Sequence, residues 1–255
     1  MNISIIGSGN VATQFGKVFL KTGHTIVQVI SSNVRSGKQL ASRLKTSFSS
    51  TYADPNNQTD IFLIAVKDAQ ITEVVKSLIK TGKIVVHTSG SIDINVFKNK
   101  FRNYGVFYPL QTIKINRAVN FKKVPICLEA SNEKTEEQLF KLADTISGNI
   151  YMLSSEQRLK VHLAAVFANN FTNHLYALAE KILNQNDLSF DLIRPLIEQT
   201  AKNSLRNSPA TLQTGPAMRN DKITINKHLK LLEKDKELQK IYKLMTESIY
   251  KLNKK

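Results

Sequence analysis

The first stretch of the chain constrains its fold more than any other. An apolar run at residues 3–6 ends at Gly7, and Gly9 and Ala12 complete the spacing G-x-G-x-x-A. After a strand and before a helix, this spacing is typical of a dinucleotide-binding turn, because small residues permit a tight turn and a close approach to the pyrophosphate. The alternative is an α/β turn that binds no nucleotide. The residues that we predict to hold the phosphates are Gly7, Ser8, Gly9, Asn10 and Val11.

Strand and helix patterns alternate over the first 153 residues. The apolar runs at 61–66 and 84–86 are typical of strands that are buried on both faces of a parallel sheet. Helical spacing of apolar residues lies between such runs, as at 11–22. We therefore predict an α/β fold, with a doubly wound, mostly parallel Rossmann-type sheet over residues 1–153. A turn is predicted at 54–57, where the sequence is Asp-Pro-Asn-Asn.

The remaining residues, 154–255, show helical patterns only. Ser154 and Gln157 have the spacing of a capping box, which marks the start of a helix. The sequence therefore predicts a second, all-helical domain, which is a candidate for dimer formation. Its predicted helices span about 156–184, 191–207, 224–232 and 236–252, with a loop at 208–221.

The end of the second predicted strand, residues 26–30, indicates the type of cofactor. NAD-binding folds place Asp or Glu there to bind the ribose hydroxyls. This chain has Ser31, Ser32 and Arg35 instead, and hydroxyls with a guanidinium suit the 2′-phosphate of NADP. We therefore predict NADP as the cofactor; the alternative is that these residues only form the polar start of a helix. Two further predicted cofactor contacts are Val66 and Ser89.

His87 follows the buried strand at 84–86, at the sheet edge where open α/β folds bind their ligands. An imidazole in this place is suited to act as a general acid or to orient a carbonyl group. The alternative is a structural hydrogen bond that holds the following turn at 89–90.

Several polar residues interrupt the long predicted helix. At 3.6 residues per turn, His162, Asn169 and Asn173 fall on one stripe, with Asn170 at its edge. We predict that this stripe faces a cleft, with His162 as a proton donor and Asn170 orienting a carbonyl group. The alternative is a set of amides that are bonded to neighbouring backbone, together with one core histidine.

The loop at 208–221 contains a candidate anion clamp, Arg219, because a guanidinium binds a carboxylate or phosphate through two parallel hydrogen bonds. The alternative for this side chain is a salt bridge to Asp221 or another local acid. No metal site is predicted, because the His and Cys spacings of zinc sites are not found in the sequence. The predicted substrate-binding residues are Gln111, Gln213, Thr214 and Arg219.

The formal net charge of +16 raises the question of an anionic partner. The lysines are scattered and densest at 227–255, in a helical pattern, which indicates a solvated face rather than a specific nucleic-acid site. No run of about 18 apolar residues is present, so we expect no membrane span. The single cysteine, Cys127, fits a reducing compartment, and we expect a cytoplasmic protein.

Five motifs, in order, resemble one family: proteins that join a Rossmann-like domain to a C-terminal helical domain of unknown function of the 2520 type. This family is distantly related to ketopantoate reductase and pyrroline-5-carboxylate reductase, and its helical domain is similar to the C-terminal domain of 6-phosphogluconate dehydrogenase. The resemblance implies NADP binding, a two-domain reductase architecture and a homodimer through the helical domain. Some members are linked to ketopantoate reduction. The motifs lie at residues 7–12, 87–90, 108–112, 162–170 and 213–221.

Two positions depart from the pattern of the relatives. Many of them have His where this chain has Tyr108, so a role for that imidazole cannot be transferred. Related hydroxyacid dehydrogenases use a lysine about one turn before an asparagine, where this chain has Ala165 or Val166. The lysine acid of those enzymes is therefore absent.

Together these features predict an NADPH-dependent reductase of a small carbonyl compound, such as a 2-keto acid. The alternative is a non-catalytic protein that binds or senses NADP(H), which the missing lysine favours and the polar residues of the long helix argue against. A third hypothesis, nucleic-acid binding through the positive charge, predicts an affinity that falls steeply with salt.

Overall fold

The computed structural model describes residues 1–53 and 55–254 and contains two compact units. The first unit is Met1–Ala168, and the second begins at Asn169. The predicted domain boundary at 153–154 stays a prediction. The predicted turn at 54–57 begins at Asp54, which lies outside the described residues.

Within the described residues, the first unit contains an eight-stranded sheet with the strand order 3-2-1-4-5-6-7-8. Neighbouring strands are parallel, except that the sixth and seventh are antiparallel. The predicted α/β fold with a mostly parallel Rossmann-type sheet is thereby confirmed. The strands are β1 (Asn2–Ile6), β2 (Thr25–Ile30), β3 (Ser47–Ser49), β4 (Ile61–Ile64), β5 (Ile84–His87), β6 (Tyr104–Pro109), β7 (Ile126–Ala130) and β8 (Ile150–Met152).

Helices connect the strands and continue alone after β8. The capping box predicted at Ser154 and Gln157 is present at the start of α5. The helices of the first unit are α1 (Asn10–Lys21), α2 (Val34–Leu44), α3 (Asp68–Ser77), α4 (Glu133–Asp144) and α5 (Ser155–Ala165). Those that follow are α6 (Thr172–Asn184), α7 (Arg194–Ser204), α8 (Pro216–Arg219), α9 (Lys222–Leu231) and α10 (Lys236–Leu252).

Apolar side chains are packed on both faces of the sheet. In β4, Ile61 and Leu63 belong to one buried cluster, whereas Phe62 and Ile64 belong to the other. This alternation follows from the strand itself, because successive side chains point to opposite faces. Burial on both faces explains why this strand has no polar residue.

The long predicted helix at 156–184 departs from regular α-helix in its middle. Residues Val166–Phe171 form a π-helix between α5 and α6. A π-helix has i→i+5 hydrogen bonds and therefore more residues per turn than an α-helix. The spacing of 3.6 residues per turn, with which we placed His162, Asn169 and Asn173 on one stripe, is wrong across this segment. The predicted loop at 208–221 is also more ordered than expected, because it contains a 3₁₀ turn at Pro209–Leu212 and the short α8.

The second unit buries few of its side chains. Among its described residues, Ala217 and Leu238 are the buried apolar ones. Many large apolar side chains remain exposed, including Leu192, Leu196, Ile223, Leu231, Leu244 and Leu252. Within the described residues, no helix has both the length and the apolar character that a membrane crossing requires.

Candidate functional site

The turn after β1 requires glycine at its first position. Gly7 has φ = +116°, and a Cβ placed on it would lie 2.3 Å from the carbonyl oxygen of Ala65. Gly9, which directly precedes α1, faces open space, since a Cβ there would have no atom within 4 Å. The first turn of α1 carries no acidic side chain. Free N–H groups at a helix start, with room beside them, suit an anionic phosphate.

A cavity of about 840 Å³ opens in front of this turn. It lies at the carboxyl edge of the sheet, because its lining includes residues that directly follow β1, β2, β4 and β5. Of the residues predicted for the cofactor, Arg35 and Ser89 do not line it. Those that do are Gly7, Ser8, Gly9, Asn10, Val11, Ser31, Ser32 and Val66.

Other residues of the lining were not predicted from the sequence. Lys67 and Thr88 come shortly after β4 and β5, so the rule that ligands bind at the carboxyl edge could have found them. Ser36 and Ile113 carry no comparable local signal. The rest of the lining consists of Asn33, Tyr52, Ala65, Asp68, Gln70, Glu73 and Val74.

Three serines form a hydroxyl cluster at the end of β2. The Oγ of Ser8 lies 3.0 Å from the Oγ of Ser31 and 2.7 Å from the Oγ of Ser36. The backbone N–H of Ser36 donates to the Oδ1 of Asn33, which caps α2. Residues 31–36, which follow β2, include neither Asp nor Glu, and Arg35 among them is exposed. Hydroxyls and a helix start offer hydrogen-bond donors to a phosphate.

His87 is fully buried at the end of β5. Its Nδ1 accepts a hydrogen bond from the backbone N–H of Ser89 at 3.2 Å, and its ring stacks on Phe97. Burial, together with the charge of Arg158, lowers the pKa of His87 to about 3. The hydrogen bond to the turn at 89–90, which was the alternative to a catalytic role, is therefore present. The low pKa means that the ring is neutral at physiological pH. Ser89 is buried too, and its Oγ accepts from the backbone N–H groups of residues 91 and 92.

Tyr108 and His162 form a hydrogen-bonded pair. The Oη of Tyr108 lies 3.0 Å from the Nδ1 of His162, and the two rings meet at 75°. Gly90 packs against both, since a Cβ there would lie 2.8 Å from the His162 Nδ1 and 2.8 Å from the Tyr108 Cζ. Residues of three sequence motifs thus meet in the first unit. Gly90, Tyr108 and His162 are not among the residues that line the cavity, although Gly90 follows Thr88 of the lining by two positions.

A buried arginine fixes the start of α5, the helix that carries His162. Arg158 is only 1% exposed and forms an ion pair with Glu129 of β7. The carboxylate of Glu129 also accepts hydrogen bonds from the backbone N–H and the Oγ of Ser155, at 2.9 and 2.7 Å. Arg158 precedes His162 by four residues and so lies on the same helix face. Sequence reasoning missed this pair because its partners are 29 residues apart.

The polar residues predicted around Asn170 lie outside the first unit. Asn170 is exposed in the π-helical segment, and its Oδ1 accepts from the Nδ2 of Asn169 at 3.3 Å. Gln213 donates through its Nε2 to the carbonyl oxygen of Thr214. In the first unit, the exposed Gln111 accepts a hydrogen bond from the backbone N–H of Thr112.

Arg219 ends α8 and is exposed. The nearby Asp221 caps α9, where it accepts from the backbone N–H and the Oγ1 of Thr224. These hydrogen bonds, more than the charge of Arg219, lower the pKa of Asp221. Within the described residues Arg219 has no salt-bridge partner, so its guanidinium remains available to an anion.

Comparisons with known families agree with this two-part structure. Residues 1–107 match a Rossmann-like domain, and residues 124–249 match a domain of unknown function, DUF2520. Among curated proteins, none matches the chain.

Solved structures with a similar fold cover nearly the whole chain. A Bacteroides fragilis protein that is proposed to be an NADP oxidoreductase is 38% identical, with a TM-score of 0.89 and 98% of each chain covered. Pyrroline-5-carboxylate reductase from Streptococcus pyogenes is 15% identical, with a TM-score of 0.65 and 98% of each chain covered. An imine reductase from Myxococcus stipitatus in complex with NADP⁺ is 16% identical, with a TM-score of 0.62, covering 98% of this chain and 92% of that one.

The sheet order, the glycine turn and the cavity in front of it define a two-domain protein of the Rossmann type. More specifically, the chain belongs to the family in which a Rossmann-like domain is joined to the domain DUF2520.

Proposed function

We propose that this protein is an NADP-dependent oxidoreductase that reduces a small carbonyl compound. The observation that carries the proposal is the cavity of about 840 Å³ with the Gly7 turn and the Ser8, Ser31 and Ser36 hydroxyls in its wall. Its size is in the range of ligand pockets. The Bacteroides fragilis relative, proposed to be an NADP oxidoreductase, supports the same cofactor.

The residues of the cavity have separate roles in this proposal. The N–H groups at the start of α1, beside Gly7 and Gly9, hold the pyrophosphate. The serine cluster, Ser32 and the exposed Arg35 select the 2′-phosphate. A carboxylate at the end of β2 would repel this phosphate, and residues 31–36 contain none.

When bound, NADPH supplies a hydride to the carbonyl carbon, and the C=O electron pair moves onto oxygen. That oxygen then needs one proton. We assign the proton to His162, whose Nε2 is the ring nitrogen not bonded to Tyr108. Because His87 is buried and bonded to the Ser89 turn, we give it a structural role.

The finer substrate proposal is a 2-keto acid, of which ketopantoate is one example. Arg219, which has no salt-bridge partner among the described residues, would bind the substrate carboxylate. Asn170 would orient the carbonyl group. The remaining residues that we propose for substrate binding are Gln111, Gln213 and Thr214.

Oxidation of NADPH in the presence of a panel of 2-keto acids and cyclic imines tests this function. We expect turnover with at least one compound, and a His162→Ala variant that loses kcat on the order of 10²-fold or more while its affinity for NADPH changes little. Equal losses of kcat and cofactor affinity would reject the role of His162. Tight NADPH binding without turnover of any compound would favour the alternative, a non-catalytic protein that binds or senses NADP(H).

A homodimer through the helical unit is part of the proposal. The unit leaves side chains such as Leu192, Leu196, Ile223 and Leu244 between 66% and 73% exposed, which is typical of a surface that a partner covers. A second copy of the chain is the simplest partner, since most soluble oligomers are symmetric homo-oligomers. We also place the protein in the cytoplasm, on the basis of its single, unpaired cysteine, Cys127.

A further inference from the structure

The phenol of Tyr108 carries its proton in the resting state. Burial raises the pKa of Tyr108 to about 12, so its O–H keeps the proton at physiological pH. The described residue within hydrogen-bond distance of this oxygen is His162, whose Nδ1 lies 3.0 Å away. A neutral imidazole has one N–H and one acceptor nitrogen, and the neighbour of each nitrogen decides which is which. A phenol is a strong hydrogen-bond donor and a weak acceptor, whereas the bare nitrogen of an imidazole is a strong acceptor. The pairing at 3.0 Å therefore favours an O–H that donates to Nδ1, which places the ring proton on Nε2.

The close approach of the two rings depends on Gly90. A Cβ at this position would lie 2.8 Å from the His162 Nδ1 and 2.8 Å from the Tyr108 Cζ, so any larger residue would push the pair apart. Gly90 belongs to the turn after β5, which also carries Thr88 of the cavity lining. The pair thus packs on the turn whose first residue, Thr88, lines the cofactor cavity, although neither ring lines the cavity itself.

The other ring nitrogen of His162, Nε2, has no hydrogen-bond partner in the described part of the chain. The residue is partly exposed. A second pair in the helical unit has similar geometry: Tyr242 Oη lies 2.8 Å from the Nδ1 of His228. That pair lies on α9 and α10 and does not line the cavity around Asn173 and Tyr176 in its unit, so it serves as an internal reference.

We propose that Tyr108 is a positioning residue that holds neutral His162 as the Nε2–H tautomer, so that Nε2 presents a proton to the substrate oxygen. This inference rests on the proposed function. It adds the origin of the proton: the Nε2–H bond breaks as the substrate O–H bond forms, and Nδ1 takes the proton of Tyr108. The starting state is restored when water delivers a proton to Nε2, leaving hydroxide, and Nδ1 returns its proton to the Tyr108 phenolate. An alkoxide is a stronger base than a phenolate, so the transfer runs downhill.

Nitrogen NMR of the imidazole rings tests the tautomer without any turnover. The His162 signals are assigned in uniformly ¹⁵N-labelled protein by their loss in His162→Gln. At pH values where the ring is neutral, we expect Nε2 to carry the proton. Nδ1 should be unprotonated and should accept a hydrogen bond. In Tyr108→Phe, the Nδ1 ¹⁵N chemical shift should change to that of a nitrogen without a hydrogen bond. Part of the population should adopt the Nδ1–H tautomer. A wild-type ring protonated on Nδ1, or a Tyr108→Phe spectrum identical to wild type, would overturn the proposal.

Kinetics provide the second readout. We expect Tyr108→Phe to lower kcat by about tenfold to 10²-fold, while the KM for NADPH stays within about twofold. Tyr242→Phe removes the same hydroxyl from the reference pair and should leave kcat unchanged. Equal effects of the two variants would contradict a role in the reaction.

The two measurements separate this inference from the proposed function. If the wild-type protein binds NADPH but reduces no compound, the proposed function fails, whereas the ¹⁵N spectra still decide the tautomer. If the wild-type protein turns over and Tyr108→Phe keeps both its kcat and its tautomer, the inference alone fails.

Discussion

Arg158 and Glu129 form a buried ion pair that ties the first turn of α5 to β7. Arg158 also donates to the carbonyl oxygen of Ile92 and to the Oγ of Ser155. The pair thus joins the turn after β5, the strand β7 and the helix that carries His162. Because Arg158 and His162 lie one turn apart on α5, this anchoring contributes to the position of the imidazole.

Removal of this arginine should destabilise the first unit. Arg158→Met would leave the Glu129 carboxylate without its positive partner, which typically costs about 3–5 kcal/mol. Urea unfolding measures the change. Lys160→Met is the matched control on the same helix, because its ion pair with Glu156 is exposed and worth about 1 kcal/mol or less. Equal destabilisation by both variants would contradict the structural role of the buried pair.

The serine cluster should control the preference for NADP. In Ser36→Asp, a carboxylate would stand beside the Ser8 and Ser31 hydroxyls and repel a 2′-phosphate. We expect the Kd for NADP⁺ to rise at least tenfold, with little change for NAD⁺, as measured by calorimetry. Ser42→Asp adds the same charge at an exposed position of α2 that does not line the cavity. An equal loss of affinity for NADP⁺ and NAD⁺ in Ser36→Asp would indicate a distorted α2 and would contradict the role of the serine cluster.

Buried His87 should make the protein less stable in acid. Its pKa is about 3 in the folded state because burial disfavours the charged ring, whereas an unfolded histidine titrates near 6.5. The unfolded state therefore binds more protons between about pH 6.5 and 3, and the free energy of unfolding falls as the pH drops through this window. The limiting slope is about 1.4 kcal/mol per pH unit.

Urea unfolding of wild type and His87→Gln across this pH range checks the prediction. The difference in slope between the two should be close to one proton. Parallel curves for wild type and His87→Gln would show that the ring is not buried in its neutral form.

The exposed apolar face of the helical unit should be covered in a dimer. We expect light scattering after size exclusion to give twice the chain mass of 28.7 kDa for the wild type. Leu244→Glu, at a side chain that is 67% exposed in α10, should shift this equilibrium towards the monomer. Its neighbour Lys243→Glu is the control for charge and should remain dimeric. A monomeric wild type would contradict the proposed homodimer.

Local patterns in the sequence predicted much of the fold. The Gly7 and Gly9 spacing, the capping box at Ser154 and the apolar run of β4 each depend on neighbours in the chain, so they are visible without a structure. The same holds for the predicted residues of the cavity lining, which follow the ends of β1, β2 and β4.

The features that the sequence could not predict are pairings between distant residues. Tyr108 and His162 are 54 positions apart, and Ser8 and Ser36 are 28 apart. The π-helix at Val166–Phe171 was missed for a related reason, since its apolar and polar residues also fit a regular α-helix. Each depends on tertiary packing, which overrides local preference.

Calorimetric titration of the purified chain with NADP⁺ and with NAD⁺ tests the central claim most directly. The cavity in front of Gly7, with hydroxyls and no carboxylate at the end of β2, predicts saturable NADP⁺ binding at one site per chain. The affinity should exceed that for NAD⁺ by at least tenfold, or about 1.4 kcal/mol. Absence of binding by both coenzymes would contradict the account, and tighter binding of NAD⁺ would contradict the assigned role of the serine cluster.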